Sequence, residues 1–208
     1  MKTISEARVG DTVTLEENGC SEMLAGFKEV KPVVFSSIYP LSTDDFPELA
    51  DSMERLKLND ASLVYTRDSS SVLGQGFRCG FLGLLHLEIT EERLEREYDQ
   101  SIILTAPSVE YKVYMRNGEC VEVDNPIKYP DPSNIDYAEE PYIIASFMVP
   151  KEFVGAVINL CISRRGIQSN MGYIDSRRVE LKFELPLSEI LFDFYDKLKT
   201  VSKGYASV

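Results

Sequence analysis

Between Val33 and Ala106 the sequence switches between the two-residue period of a strand and the 3.6-residue period of a helix. The order of those switches limits the fold more than any other feature. Val33–Tyr39 is a β-rich run ended by Pro40. Asp44 is placed to cap a helix with Pro47 in its first turn, and Leu49, Met53, Leu56 and Leu58 follow at helical spacing. Ala61–Thr66 reads as a second strand and Val72 opens a third, which passes through Gly74, Gly76, Gly80 and Gly83. A helix bearing Leu84, Leu85, Leu87, Ile89 and Leu94 comes next, and Ser101–Thr105, closed by Pro107, is a fourth strand. The order β-α-β-β-α-β is that of the ferredoxin-like split βαβ unit, with both helices on one face of an antiparallel sheet.

The pattern repeats from Tyr142. Tyr142–Val149 reads as a strand, and Pro150 and Lys151 open a helix with Phe153, Val157, Leu160 and Cys161. Arg164 and Arg165 suit the end of that helix and Gly166 stops it. Ile167–Ile174 and Val179–Leu185 form a hairpin around Asp175–Arg178. Ser188 is expected to cap a last helix carrying Leu191, Phe192, Tyr195, Leu198 and Val201, and Gly204–Val208 begins a fourth strand. Between the repeats, Val109–Met115 and Cys120–Val123 read as a hairpin about Asn117-Gly118, and Pro126, Pro130 and Pro132 mark a loop. Near the N-terminus, Asp11–Leu15 alternates like a strand after a turn at Arg8–Asp11, and one or two strands cannot bury a core alone. The fold class is therefore α+β: a partial β-sheet segment over 1–30, ferredoxin-like domains over 31–106 and 140–208, and a connector over 107–139.

The glycine run is not a phosphate cradle by its spacing. A dinucleotide loop needs G-x-G-x-x-G; here the third glycine falls one residue late, at Gly80, with bulky Phe77 and Arg78 inside. The run reads instead as a bent strand with a close backbone approach. His86 is the only histidine and has no sequence neighbour to make it a base, so a structural or interface role is expected. Glu91, Glu92, Glu95 and Glu97 with Arg93 and Arg96 read as a solvated helix face, and Cys79 as a small packed residue.

The run Gly76-Phe77-Arg78-Cys79-Gly80-Phe81-Leu82-Gly83-Leu84-Leu85-His86, followed by Glu91-Glu92-Arg93-Leu94-Glu95-Arg96-Glu97-Tyr98, closely resembles elongation factor 4, the LepA translational GTPase family, and more distantly elongation factor G. Leu58–Leu63, Pro186–Ile190 and Ser202–Ser207 agree, so the resemblance covers essentially the whole chain. It implies an internal portion of such a factor: the tail of a β-barrel domain over 1–30, then modules like domains III and V of elongation factor G, with the connector in place of a large inserted domain. The parent is implied to be a ribosome-dependent GTPase, using GTP and Mg, that remodels or back-translocates tRNAs. Its implied partners are rRNA, ribosomal proteins, tRNA, and its own GTPase and C-terminal domains. Peripheral attachment to the inner face of the cell membrane is also within the family's range. The chain has neither G-x-x-x-x-G-K-[ST] nor N-K-x-D, so no catalytic, cofactor or metal residue is expected in it. The fold order alone also fits a protein-interaction module or a pair of small-molecule-binding domains.

Charge directs the search for an RNA surface. The net charge is -12, but residues 140–208 hold nine Lys and Arg against eight Asp and Glu, so the acidic excess lies before residue 140. The candidate RNA or ribosome contacts are Arg164, Arg165, Arg177, Arg178, Lys197, Lys199 and Lys203. The first two pairs are expected to be exposed, with reversal of Arg164 and Arg165 weakening ribosome binding and leaving the fold intact. No apolar run reaches the roughly 18 residues of a membrane span, and the N-terminal residues lack a signal-peptide core. Four scattered cysteines without a C-x-x-C read as reduced thiols of a cytoplasmic protein.

Overall fold

The computed structural model describes residues 10–26 and 30–208. The chain forms two compact units, Met1–Ala106 and Pro107–Val208. In the first, β1 (Val34–Pro40), α1 (Phe46–Asn59), β2 (Val64–Ser70), β3 (Gly74–Phe81), α2 (Leu84–Tyr98) and β4 (Ile102–Leu104) follow the expected order. The strands pair antiparallel in the order β2-β3-β1-β4. Helix α1 has Pro47 in its first turn, where the missing N–H costs nothing, and buries Leu49, Ser52, Met53 and Leu56. Helix α2 buries Leu87, Thr90 and Leu94. Against them stand Val34 and Ile38 of β1 and Phe77, Cys79 and Phe81 of β3, all buried. The period of two on the strands thus meets the period of 3.6 on the helices across one apolar layer.

The hairpin β2-β3 is displaced from its expected place. The strand expected over Ala61–Thr66 runs from Val64 to Ser70, and Val72, expected to open the third, sits exposed in the turn. Its polar half, Arg67–Ser70, has no apolar period but pairs with Gly74–Phe77 on an edge where side chains stay wet. The turn is held by Ser70 Oγ, which accepts from the N–H groups of Val72 and Leu73 at 3.2 and 3.3 Å.

The second unit holds two sheets. β5 (Tyr111–Met115) and β6 (Cys120–Val123) make the expected hairpin, with Gly118 at φ +86°. The proline-rich loop contains two 3-10 turns, Pro126–Lys128 and Pro132–Asn134, capped by Asn125 and Asp131. It then returns as β7 (Ile135–Glu139), a segment whose sequence reads as loop; it pairs with β5 and stacks Tyr137 on Tyr114 with ring centroids 4.4 Å apart. β8 (Tyr142–Pro150), α3 (Val154–Ser163), β9 (Ile167–Tyr173), β10 (Arg178–Pro186) and α4 (Phe194–Val201) form the repeat, with strand order β8-β10-β9. Its core gathers Phe147, Val149, Val157, Cys161, Leu181, Phe183 and Phe194.

Three expectations are corrected. Ser188 does not cap a helix: Leu187–Glu189 is a 3-10 turn and α4 begins six residues later, at Phe194. The stretch before α4 carries Ile190 and Leu191 into the core and leaves Phe192 outside, on turn and bend backbone rather than helix. The fourth strand at Gly204–Val208 reduces to one bridge, Met148 to Ser207. Residues 10–26 contain no strand; Thr14 Oγ1 and Thr12 Oγ1 accept from the N–H groups of Cys20 and Leu24 and fold Asp11–Leu15 into a loop. Part of the Arg8–Asp11 turn lies outside the described residues.

Phe183 is fully buried at the centre of the second core, edge-on to Phe147 at 6.3 Å. Phe183→Ala is expected to destabilise the unit by about 3–5 kcal/mol, read by urea denaturation.

Candidate functional site

The seven candidate basic residues fall at two ends of the β8–α4 repeat. Chain direction separates them. β8 ends, α3 begins, the β9-β10 hairpin turns and α4 ends at one pole; α3 ends, β9 begins and α4 begins at the other.

At the α3 C-terminal pole, basic residues are consumed by acids. Arg164 pairs with Asp193 and, at 3.6 Å, with Glu189, and its side chain is only 19% exposed. Arg165 donates to both carboxylate oxygens of Glu140 at 2.5 and 3.0 Å and to Glu189 at 2.9 Å. Lys197 meets Asp193 at 2.6 Å. The Lys197 hydrogen bond, with Arg164 beside it, holds the Asp193 carboxyl below its usual value. Arg165 sits at φ +58°, a left-handed backbone that costs a side-chain-bearing residue roughly 1–2 kcal/mol. Gly166 behind it has no room for a Cβ, which would meet Leu185 Cδ2 at 2.6 Å. Of the pair expected to be exposed, Arg165 is so, with its side chain 50% accessible, and Arg164 is largely covered; both are held by carboxylates. They tie the end of α3 to the segments before β8 and α4. Arg165→Glu is expected to lower the melting temperature in a thermal scan, since it sets a carboxylate against Glu140 and Glu189.

The hairpin-tip pole differs. Asp175 Oδ1 accepts from the N–H groups of Arg177 and Arg178 at 2.8 Å, and its other oxygen takes the Arg178 guanidinium at 2.8 Å. These bonds, the Arg177 amide first, hold the Asp175 carboxyl low. Lys199 lies 3.9 Å from Asp196, both well exposed. Among the described residues neither Arg177 nor Lys203 has a carboxylate within ion-pair distance.

The first unit carries a polar cluster that reading by motif missed. On the sheet face away from the helices, Asp68 Oδ2 accepts from Ser37 Oγ at 2.8 Å and from the Tyr39 hydroxyl at 2.9 Å. Arg78, 7% exposed, donates to Ser37 Oγ at 3.3 Å and lies 6.0 Å from the Phe35 ring centroid. Burial raises the Asp68 carboxyl, but its bonds to Ser37, Tyr39 and the Ser69 amide, with the charge of Arg78, outweigh this and leave it below its ordinary 3.8. The glycines supply the space. A Cβ on Gly76 would stand 2.4 Å from the Tyr39 ring, and one on Gly80 would stand 2.8 Å from Pro32. The signal was the alternation Gly76, Arg78, Gly80, which puts all three on one face.

His86 is a cross-link. Its Nδ1 accepts from the Leu82 N–H at 3.1 Å, so Nε2 carries the proton and donates to Asp60 Oδ2 at 2.7 Å. It thus ties the start of α2 to the residue that ends α1. Cys79 and Cys161 are buried free thiols, both pushed up to about 12 by burial.

Two α+β modules of ferredoxin-like type, with no metal-holding group of side chains among the described residues, define a class by fold. Residues 30–106 match the family Elongation Factor G, domain III, and residues 138–208 match the Elongation factor G C-terminus. Over 207 residues, all of this chain, it is 60% identical to Elongation factor 4 of Treponema denticola and 59% identical to that of Syntrophobacter fumaroxidans. The chain is thus similar along its whole length to elongation factor 4 proteins and spans about a third of the length of these relatives, 34% and 35%. A crystal structure from Thermus thermophilus shares the fold at a TM-score of 0.50 and 17% identity, covering 93% of this chain and 42% of that one.

The Asp68 cluster yields a pH prediction. A carboxyl lowered in the fold stabilises it above the unfolded value and ceases to do so as pH falls through the lowered folded value. Urea stability should therefore drop as pH is taken from about 5 to below 3, through the range near 3.8 and under it. Asp68→Asn should flatten that part of the profile. Gly76→Ala should cost about 1–3 kcal/mol at neutral pH, because neither the Tyr39 ring nor the Ile38 carbonyl can withdraw freely.

Proposed function

We propose that the chain is the ribosome-engaging middle portion of a ribosome-dependent GTPase that remodels or back-translocates tRNAs during protein synthesis. The observation that carries this reading is the 60% identity to an Elongation factor 4 along the full chain, with elongation factor G modules on both of its units. GTP and Mg belong to the nucleotide domain of the parent, since this sequence has no loop to hold them. The chain's own part is mechanical: two sheet-backed modules, each with its helices on one face, that hold their shape while bound. The domain assignment follows the same reading: a barrel-domain tail over 1–30, a domain III-like module over 31–106, a connector over 107–139 and a domain V-like module over 140–208.

The RNA-facing surface belongs to the hairpin-tip pole of the last module, with Arg177, Arg178 and Lys203 and with Lys199 beside it. Arg164, Arg165 and Lys197 serve the module's own cohesion at the other pole. The first unit holds most of the acidic excess, and phosphate repels it. The parent works in the cytoplasm, and peripheral contact with the inner face of the cell membrane is compatible with surface residues alone. No described helix is long and apolar enough to cross a membrane.

The test is sedimentation of the purified 208-residue chain with ribosomes. Binding is expected at low salt and should weaken steeply between about 50 and 200 mM salt, as phosphate contacts do. In calorimetry the same chain should take up no GTP. Failure to sediment at low salt, or saturable GTP binding, would overturn the reading.

A further inference from the structure

A short link joins the two sheets of the second unit. β7 ends at Glu139 and β8 begins at Tyr142, so the link is Glu140 and Pro141. The sheets have separate strand orders, β6-β5-β7 and β8-β10-β9. So short a link between separate sheets is a natural hinge, yet here both of its residues are held. The Pro141 ring fixes its own φ and confines Glu140 to extended backbone. The Pro141 carbonyl accepts from the Leu187 N–H at 2.9 Å. The Glu140 carboxylate takes the Arg165 guanidinium through both oxygens, at 2.5 and 3.0 Å, and Ser188 Oγ donates to one of them at 3.4 Å. Arg165 reaches this carboxylate from an unfavourable backbone. Its left-handed step, φ +58°, is the one glycine usually takes at a helix end, and here the glycine comes one residue later. Gly166 lets the chain pass Leu185 and the Cys161 carbonyl, where a Cβ would stand at 2.6 and 2.7 Å. What an arginine at position 165 adds is the direction of its side chain, towards Glu140 and Glu189.

We infer that Arg165 is a latch on the Glu140-Pro141 hinge. Closed, it sets the connector sheet β5–β7 at one angle to the last module; without it, that sheet swings while the module stays folded. The inference goes beyond the ribosome-engaging reading and does not need it. A bidentate arginine–carboxylate pair fixes a direction as well as a distance, which a lysine does not. Glu189 backs the latch, accepting from Arg165 at 2.9 Å and lying 3.6 Å from Arg164. The Arg165 side chain is half exposed, so water and salt weaken the pair and leave the latch able to open. The core cluster of the repeat includes neither Glu140 nor Arg165, so the module has its own means of staying folded. Opening the latch therefore changes an angle between two sheets and leaves both sheets intact.

The test reads angle and stability separately in the 208-residue chain. Spin labels are attached to the folded protein at the exposed Cys120 of β6 and at Asp196→Cys on α4, in a Cys20→Ser background; Cys79 and Cys161 are buried and stay unlabelled. With the latch in place the two labels should give one narrow distance distribution. Arg165→Gly and Glu140→Gln should each broaden or split it, and Arg165→Lys, which keeps the charge but not the fork, should broaden it as well. In hydrogen exchange the Leu187 amide should exchange roughly tenfold faster in Arg165→Gly and Glu140→Gln, while the amides of the β8–β10 ladder keep their protection. Glycine takes the left-handed step freely, so Arg165→Gly should leave the urea midpoint in place. Three results would overturn the latch: a broad distribution in the unaltered protein, a distribution that stays narrow in Arg165→Gly and Glu140→Gln, or a broadening that comes only with a lower urea midpoint and lost ladder protection. The last would make Arg165 a support of the module as a whole.

Discussion

Each unit depends on one antiparallel pairing between strands that are not neighbours in sequence: β1 with β3, and β8 with β10. The helix between each pair has an apolar stripe but too few residues to persist alone in water. Only when the two strands close beneath it does the stripe gain a floor. In the second unit that floor is the row Val179, Leu181, Phe183 and Leu185, all buried, alternating with Glu180, Lys182 and Glu184 on the other face. A slip of one residue in this register would exchange the two rows, burying three charges and exposing four apolar side chains. The ladder runs over nine residue pairs, from Arg178 opposite Pro150 to Pro186 opposite Tyr142, so the apolar pattern and the backbone hydrogen bonds enforce the same register.

How much could be read from sequence follows from this division. Segments whose pattern is dictated by burial, such as Val33–Tyr39 and Tyr142–Val149, lie where their periodicity placed them. Ile135–Glu139 escaped because its residues are mostly exposed and carry Asp136 and Glu139; only its partner β5 makes it a strand. The late start of α4 escaped because Leu187–Asp193 contains enough apolar residues to imitate a helical stripe. Asp11–Leu15 has the alternation of a strand but no ladder to join.

The candidate site was less legible, for a different reason. Composition counts charges but does not say which are spent. Arg165 lies 25 residues from Glu140 and 24 from Glu189, and Arg164 lies 29 from Asp193, so no local pattern announces those pairs. Lys151 and Tyr173 come from separate segments, as do Phe153 and Tyr205, and each pair meets only because the repeat brings those ends to one pole. Arg78 was visible only through its glycines: it is a residue that a flat, uncrowded lane of backbone makes room for.

The two buried thiols have a consequence for how the chain's motions can be followed. Cys79 lies in the first unit and Cys161 in the second, each with no exposed surface, while Cys20 and Cys120 are exposed. A bulky alkylating reagent reaches the outer pair at once and the inner pair only when its own unit opens. The slow phases of labelling therefore clock the breathing of each unit separately, in one molecule and without an introduced probe. A bound partner that slows one clock and not the other would reveal which unit it grips.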